Sequence, residues 1–97
     1  MTNNLITKER LDKYFSITKE ALDTARNALN GTKQALEFLD MAQRYYDDAN
    51  YFAAKKMDFV LAFAALNYAH GWLDAGARSG LFLVNDSRLF TVDGNNL

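Results

Sequence analysis

The chain has 97 residues, no cysteine and a net charge of −1, which leaves room for one domain, taken as 1–97, and excludes disulfides, thiolate metal sites and cysteine nucleophiles. Eleven basic residues balanced by twelve acidic ones create no bulk attraction for nucleic acid or an anionic membrane. Met1–Arg10 lacks the basic start and apolar run of a secretory leader, and the longest apolar run, Phe59–Leu66, is far short of the ~20 residues that span a bilayer; a cytoplasmic protein is expected.

The absence of proline permits long uninterrupted helices. The first is expected over about 7–29. Leu11, Phe15, Thr18, Leu22, Ala25 and Leu29 recur at spacings of three and four and so share one face. Thr7 can cap its start, and Asn30-Gly31 can end it. The second helix is expected over 33–55, capped by Thr32, with Ala35, Phe38/Leu39, Ala42, Tyr45/Tyr46, Ala49 and Phe52/Ala53 facing inward. The third should cover about 58–78, capped by Asp58, with Phe59, Phe63, Leu66, His70, Leu73 and Ala77 as its inner stripe. The connection Lys55-Lys56-Met57-Asp58 contains no glycine, so one of its residues is expected to carry a small backbone penalty.

Three segments of similar length joined by short connections must run antiparallel to their neighbours. The expected fold is therefore all-α, an up-and-down three-helix bundle. The tail, 80–97, differs in character. Leu81–Val84 and Leu89–Val92 are β-prone and flank Asn85-Asp86-Ser87-Arg88, which predicts a small hairpin or two extended pieces. Such a pair is marginal in water alone, so the tail is expected to pack on the bundle or on another chain. Asp93–Leu97 is expected to be disordered.

Two stretches carry a family resemblance. One is Met41-Ala-Gln-Arg-Tyr-Tyr-Asp-Asp-Ala-Asn-Tyr-Phe52; the other is Asn67-Tyr-Ala-His-Gly-Trp-Leu-Asp-Ala-Gly-Ala-Arg-Ser-Gly80. With Leu89–Val92 they resemble the archaeal DUF357 family, over roughly Leu11 to Val92. The resemblance implies a three-helix bundle and an archaeal cytoplasmic origin. It implies no established activity and transfers no catalytic residues. Members often place a Gly-Asp pair between the last two helices, where this chain has Met57-Asp58.

Several polar groups invite a chemical reading. Asn67, His70, Asp74 and Arg78 form a stripe along one side of the third helix. An imidazole with a carboxylate one turn away can be an oriented base or part of a metal site. The simpler reading is a structural network in which Asp74 fixes the ring. A metal would need further ligands, and the chain has a single His; no metal and no cofactor are expected. Asp47 and Asp48 are adjacent and point about 100° apart on a helix, so they do not form a paired acid/base site. The aromatic zone of Tyr45, Tyr46, Tyr51, Phe52, Tyr68 and Trp72 has few basic neighbours and reads as packing rather than base stacking. Gly71 and Gly76 inside a helix cost roughly 1 kcal/mol each against alanine, which suggests close approach of another helix or of the tail.

The third helix carries a second apolar stripe, Leu61, Ala65, Tyr68, Trp72 and Ala75, where an exterior helix needs about one. The expectation is a non-enzymatic interaction module that forms a homodimer or binds an unknown protein partner, with Tyr68, Trp72, Leu81 and Phe82 as interface candidates. The alternative is a small-molecule binder or enzyme using Asn67, His70 and Asp74.

Overall fold

Three side-chain caps set the helix starts. Thr7 Oγ1 accepts from Arg10 N at 3.1 Å, Thr32 Oγ1 from Ala35 N at 3.1 Å, and Asp58 Oδ1 from Leu61 N at 3.0 Å; each satisfies an amide that the first helical turn leaves without a partner. The computed structural model, which describes residues 6–91, accordingly contains α1 (Lys8–Arg26), α2 (Lys33–Lys55) and α3 (Phe59–Arg78). They pack against one another as an all-α up-and-down bundle, most extensively between α2 and α3. The expected disorder of 93–97, and Val92, lie outside the described residues.

The α2–α3 seam is made by small residues. Ala35, Ala42 and Ala49 on α2 and Ala62, Ala69 and Gly76 on α3 are fully or almost fully buried. Small side chains let two backbones approach closely, and this shifts the centre of α3's inner face from the expected one. Phe59, Phe63, His70 and Ala77 flank the seam half-buried, while Leu66 and Leu73 stay fully inside.

Helix α1 ends three residues earlier than its periodicity suggests. Leu29 leaves the helix to form an isolated antiparallel bridge with Phe82, and the Leu83 amide donates to the Ala28 carbonyl at 2.7 Å. Asn27 caps the shortened helix, its side-chain amide donating to the Asp23 carbonyl. Gly31, at φ +91°, serves the turn into α2 rather than the end of α1.

The tail docks on the bundle without forming a hairpin; among the described residues there is no sheet. Helix α3 closes in a Schellman arrangement, with Leu81 N donating to Gly76 O at 2.9 Å and Gly80 N to Ala77 O at 3.2 Å. This needs a left-handed residue, and Gly80 supplies it at φ +76°. The chain then turns back so that Leu81, Phe82, Leu89 and Phe90 fill the core between α1 and the adjoining parts of α2 and α3. Among the described apolar residues of the tail, Leu83 is exposed and Val84 half-buried. Asp86 holds the return turn, its side chain accepting from Arg88 N and its carbonyl from Leu89 N and Phe90 N. Arg88 clasps Glu20 of α1 with two hydrogen bonds, of 3.1 and 2.6 Å. That contact holds the Glu20 carboxyl below its ordinary range and raises the guanidinium.

Candidate functional site

The polar stripe of α3 divides into separate contacts. His70 is half-buried, and its Nε2 lies 2.7 Å from the hydroxyl of Thr18, a fully buried residue of α1. Thr18 also contacts the Tyr14 carbonyl at 2.8 Å. A hydroxyl has one hydrogen to give. With that hydrogen on the Tyr14 carbonyl, the remaining contact assigns the imidazole hydrogen to Nε2, which donates to Thr18. Burial lowers the His70 pKa, and the Asp74 charge one turn away opposes the shift in part.

Asp74 does not orient the ring, as the spacing suggested. Its Oδ1 accepts from the Thr91 amide at 2.9 Å, so it anchors the tail at Thr91. A carboxylate one turn along a helix competes poorly for the ring once the ring faces α1 and the tail amide faces the carboxylate. Asn67 and Arg78 are exposed and join neither contact. The stripe is thus two tethers, one to α1 and one to the tail, with two solvated residues at its ends. Thr18 was visible in the sequence as a hydroxyl on an apolar stripe, a position that demands a partner, but nothing local names His70 as that partner.

Grooves lie elsewhere. One of 420 Å³ runs between the start of α1 and the end of α2, lined by Leu11, Phe15, Tyr46, Ala53 and Phe59 among others. Another, of 160 Å³, lies on the outer side of α2 and α3, between Tyr45, Phe52, Leu61, Ala64 and Tyr68, with Asp48 at its edge. Neither is lined by Asn67, His70 or Asp74. Among the described residues no three metal-ligating side chains converge, and no helix is long and apolar enough to cross a membrane.

The interface candidates also separate. Leu81 and Phe82 are 7% and 1% exposed; they belong to this chain's own core and are not available to a partner. The reason is Gly76. A Cβ placed there would lie 2.6 Å from Phe82 Cδ2, so the glycine is the notch into which the Phe82 ring fits. Gly71 has no such neighbour. Trp72 is half-buried and meets Phe38 edge-on, with ring centroids 5.0 Å apart. Tyr68 is 62% exposed and stacks on Tyr45 at 5.2 Å. The Tyr45–Tyr68 pair, with Leu61 at 45% exposure and Val60 at 60%, makes an apolar outer surface, and the groove between Tyr45, Leu61 and Tyr68 is lined by no described residue of the tail.

A family described as "Protein of unknown function (DUF357)" matches residues 13–82, which run from the first turns of α1 through the Phe82–Gly76 lock. The chain belongs to the DUF357 family. The match includes both partners of the Thr18–His70 bond and stops short of the Asp86 turn and of Leu89–Val92, which the resemblance in the sequence had included. No curated protein and no solved structure matches this DUF357 chain.

Proposed function

We propose that this DUF357 protein is a non-enzymatic, cytoplasmic interaction module that self-associates. The observation that carries the reading is the outer surface of α2 and α3. Between Phe59 and Ala77 the only formal charge is Asp74, which is turned to the tail. The side of α3 opposite the tail therefore presents Leu61, Ala64 and Tyr68 with no charge from α3 itself beside them, and Asp48 of α2 at their margin. Contiguous apolar surface of this kind is characteristic of association sites. A surface that meets a second copy of itself forms a closed two-fold dimer, the commonest arrangement for soluble oligomers.

The rival reading, a ligand site or enzyme centre at Asn67, His70 and Asp74, has less support. His70 Nε2 is engaged by Thr18 and Asp74 by the Thr91 amide, and neither of the two grooves described above is lined by His70 or Asp74. A reactive centre needs convergent groups around a space for substrate. Sedimentation equilibrium over a hundredfold range of concentration tests the proposal: mass rising toward that of a dimer is expected. A monomer throughout would remove self-association.

A further inference from the structure

The exposed face of α2 carries a charge pattern that is complementary to itself. Asp48 and Lys55 are seven residues apart, so they lie on nearly the same side of the helix, roughly 10 Å from one another along its axis. Both are exposed, and among the described residues neither has an ion-pair partner, whereas Asp40 is held by Arg44 at 2.8 Å and Asp47 accepts from Gln43. Lys56, the neighbouring cation, is placed over the Tyr51 ring. Between Asp48 and Lys55 sit Tyr51, half exposed, and Phe52, in edge contact with it. Asp48 and Phe52 also border the apolar groove that continues onto Leu61 and Tyr68 of α3.

We infer that a second copy of this chain docks on this face in an antiparallel two-fold arrangement centred between Tyr51 and Phe52, with Asp48 of each copy facing Lys55 of the other. The inference rests on the self-association proposed above and specifies its site and register. A two-fold axis at that point exchanges positions 48 and 55, so both charge pairs form at once and no like charges are opposed. The same register carries the turn that bears the exposed Met57, Val60 and Leu61 toward Tyr45 of the other copy, which covers apolar surface at both ends of the contact. A face two helices wide and ~30 Å long is of the same order as the ~800 Å² per partner that a stable dimer buries. The parallel arrangement would set Asp48 against Asp48 and Lys55 against Lys55, and like charges directly opposed suppress a wrong pairing.

Charge reversal with mixing is the test. Asp48→Lys leaves two lysines facing each other across the axis, and Lys55→Glu leaves two carboxylates. Each variant alone should associate on the order of tenfold more weakly than the wild type. Mixed in equal amounts, they should form a heterodimer in which both pairs are attractive, one with its sign reversed and the other the native Lys55–Asp48 pair. Native mass spectrometry, with one variant isotopically labelled, distinguishes this heterodimer from either homodimer. Both side chains are exposed, and circular dichroism verifies that each variant is folded. Recovery in the mixture, with weak association of each variant alone, supports the register. A wild-type dimer whose variants associate as well as it does, or do not recover on mixing, overturns the register and leaves self-association standing. A monomeric wild type overturns both.

Discussion

His70 and Thr18 show how a pair of residues 52 positions apart in sequence can decide the character of a site. The Thr18 hydroxyl is buried and must be satisfied, and the imidazole satisfies it across the α1–α3 contact. Substituting His70→Ala should lower stability by about 1–3 kcal/mol, the cost of leaving a buried polar group short of a partner; urea denaturation measures it, and an unchanged midpoint would contradict the structural role. The linked proton gives a second readout. Burial depresses the His70 pKa in the folded state, so the unfolded chain binds the proton more readily. Stability is therefore full above the ordinary value of 6.5 and falls as pH drops below it toward the folded-state pKa. The His70→Ala variant should lose that part of the pH dependence. The two interior glycines of α3 make a paired comparison. Gly76→Ala should destabilise by about 1–3 kcal/mol, because Phe82 occupies the space of the new methyl group. Gly71→Ala should stabilise by up to ~1 kcal/mol, since it meets nothing and alanine favours helix. The sequence suggests close approach at both glycines; only the fold of the tail, a long-range matter, tells them apart.

Among the elements, the tail and the two connections hold the physical lessons. Caps and periodicity placed α2 without error and α3 to within a residue, because those signals are local. The end of α1 was not legible in the same way, since Leu29 is drawn from the helix by pairing with Phe82, more than fifty positions away. The missing glycine before Asp58 does carry its penalty: Met57 sits at φ +52°, in the left-handed region that costs a residue with a Cβ roughly 1–2 kcal/mol. Met57→Gly should therefore raise thermal stability slightly, part of the gain being offset by glycine's greater freedom when unfolded; a lower melting temperature would contradict the assignment of strain. Among the described residues the tail contributes four buried side chains, Leu81, Phe82, Leu89 and Phe90, each worth ~1.5–3 kcal/mol before ordering costs. A chain ending at Ser79 should melt earlier or aggregate in a thermal scan, and equal solubility and stability would show that 80–91 is not part of the fold.

For the whole molecule, helical periodicity and the surplus apolar stripe on α3 were enough to expect both the bundle and a surface in need of cover. The stripe's fate was split by packing: Ala65 went inside, Trp72 to the margin against Phe38, and Tyr68 and Leu61 to the outside. Composition alone could not make that division, because it depends on the alanine seam that fixes how α3 is rotated against α2. The candidate chemical site was less legible. Spacing places Asn67, His70, Asp74 and Arg78 on one side of α3, but the partners of His70 and Asp74, Thr18 and the Thr91 amide, come from other parts of the chain. We propose that the outer α2–α3 surface, not the His70–Asp74 stripe, is where this protein acts, and that it acts by meeting a second copy. A dilution series of amide ¹H–¹⁵N spectra decides between the two surfaces. Concentration-dependent shifts confined to the neighbourhood of Tyr45, Asp48, Phe52, Leu61 and Tyr68 are expected; spectra that do not change over a hundredfold dilution, or shifts centred on Asn67, His70 and Asp74, would contradict it.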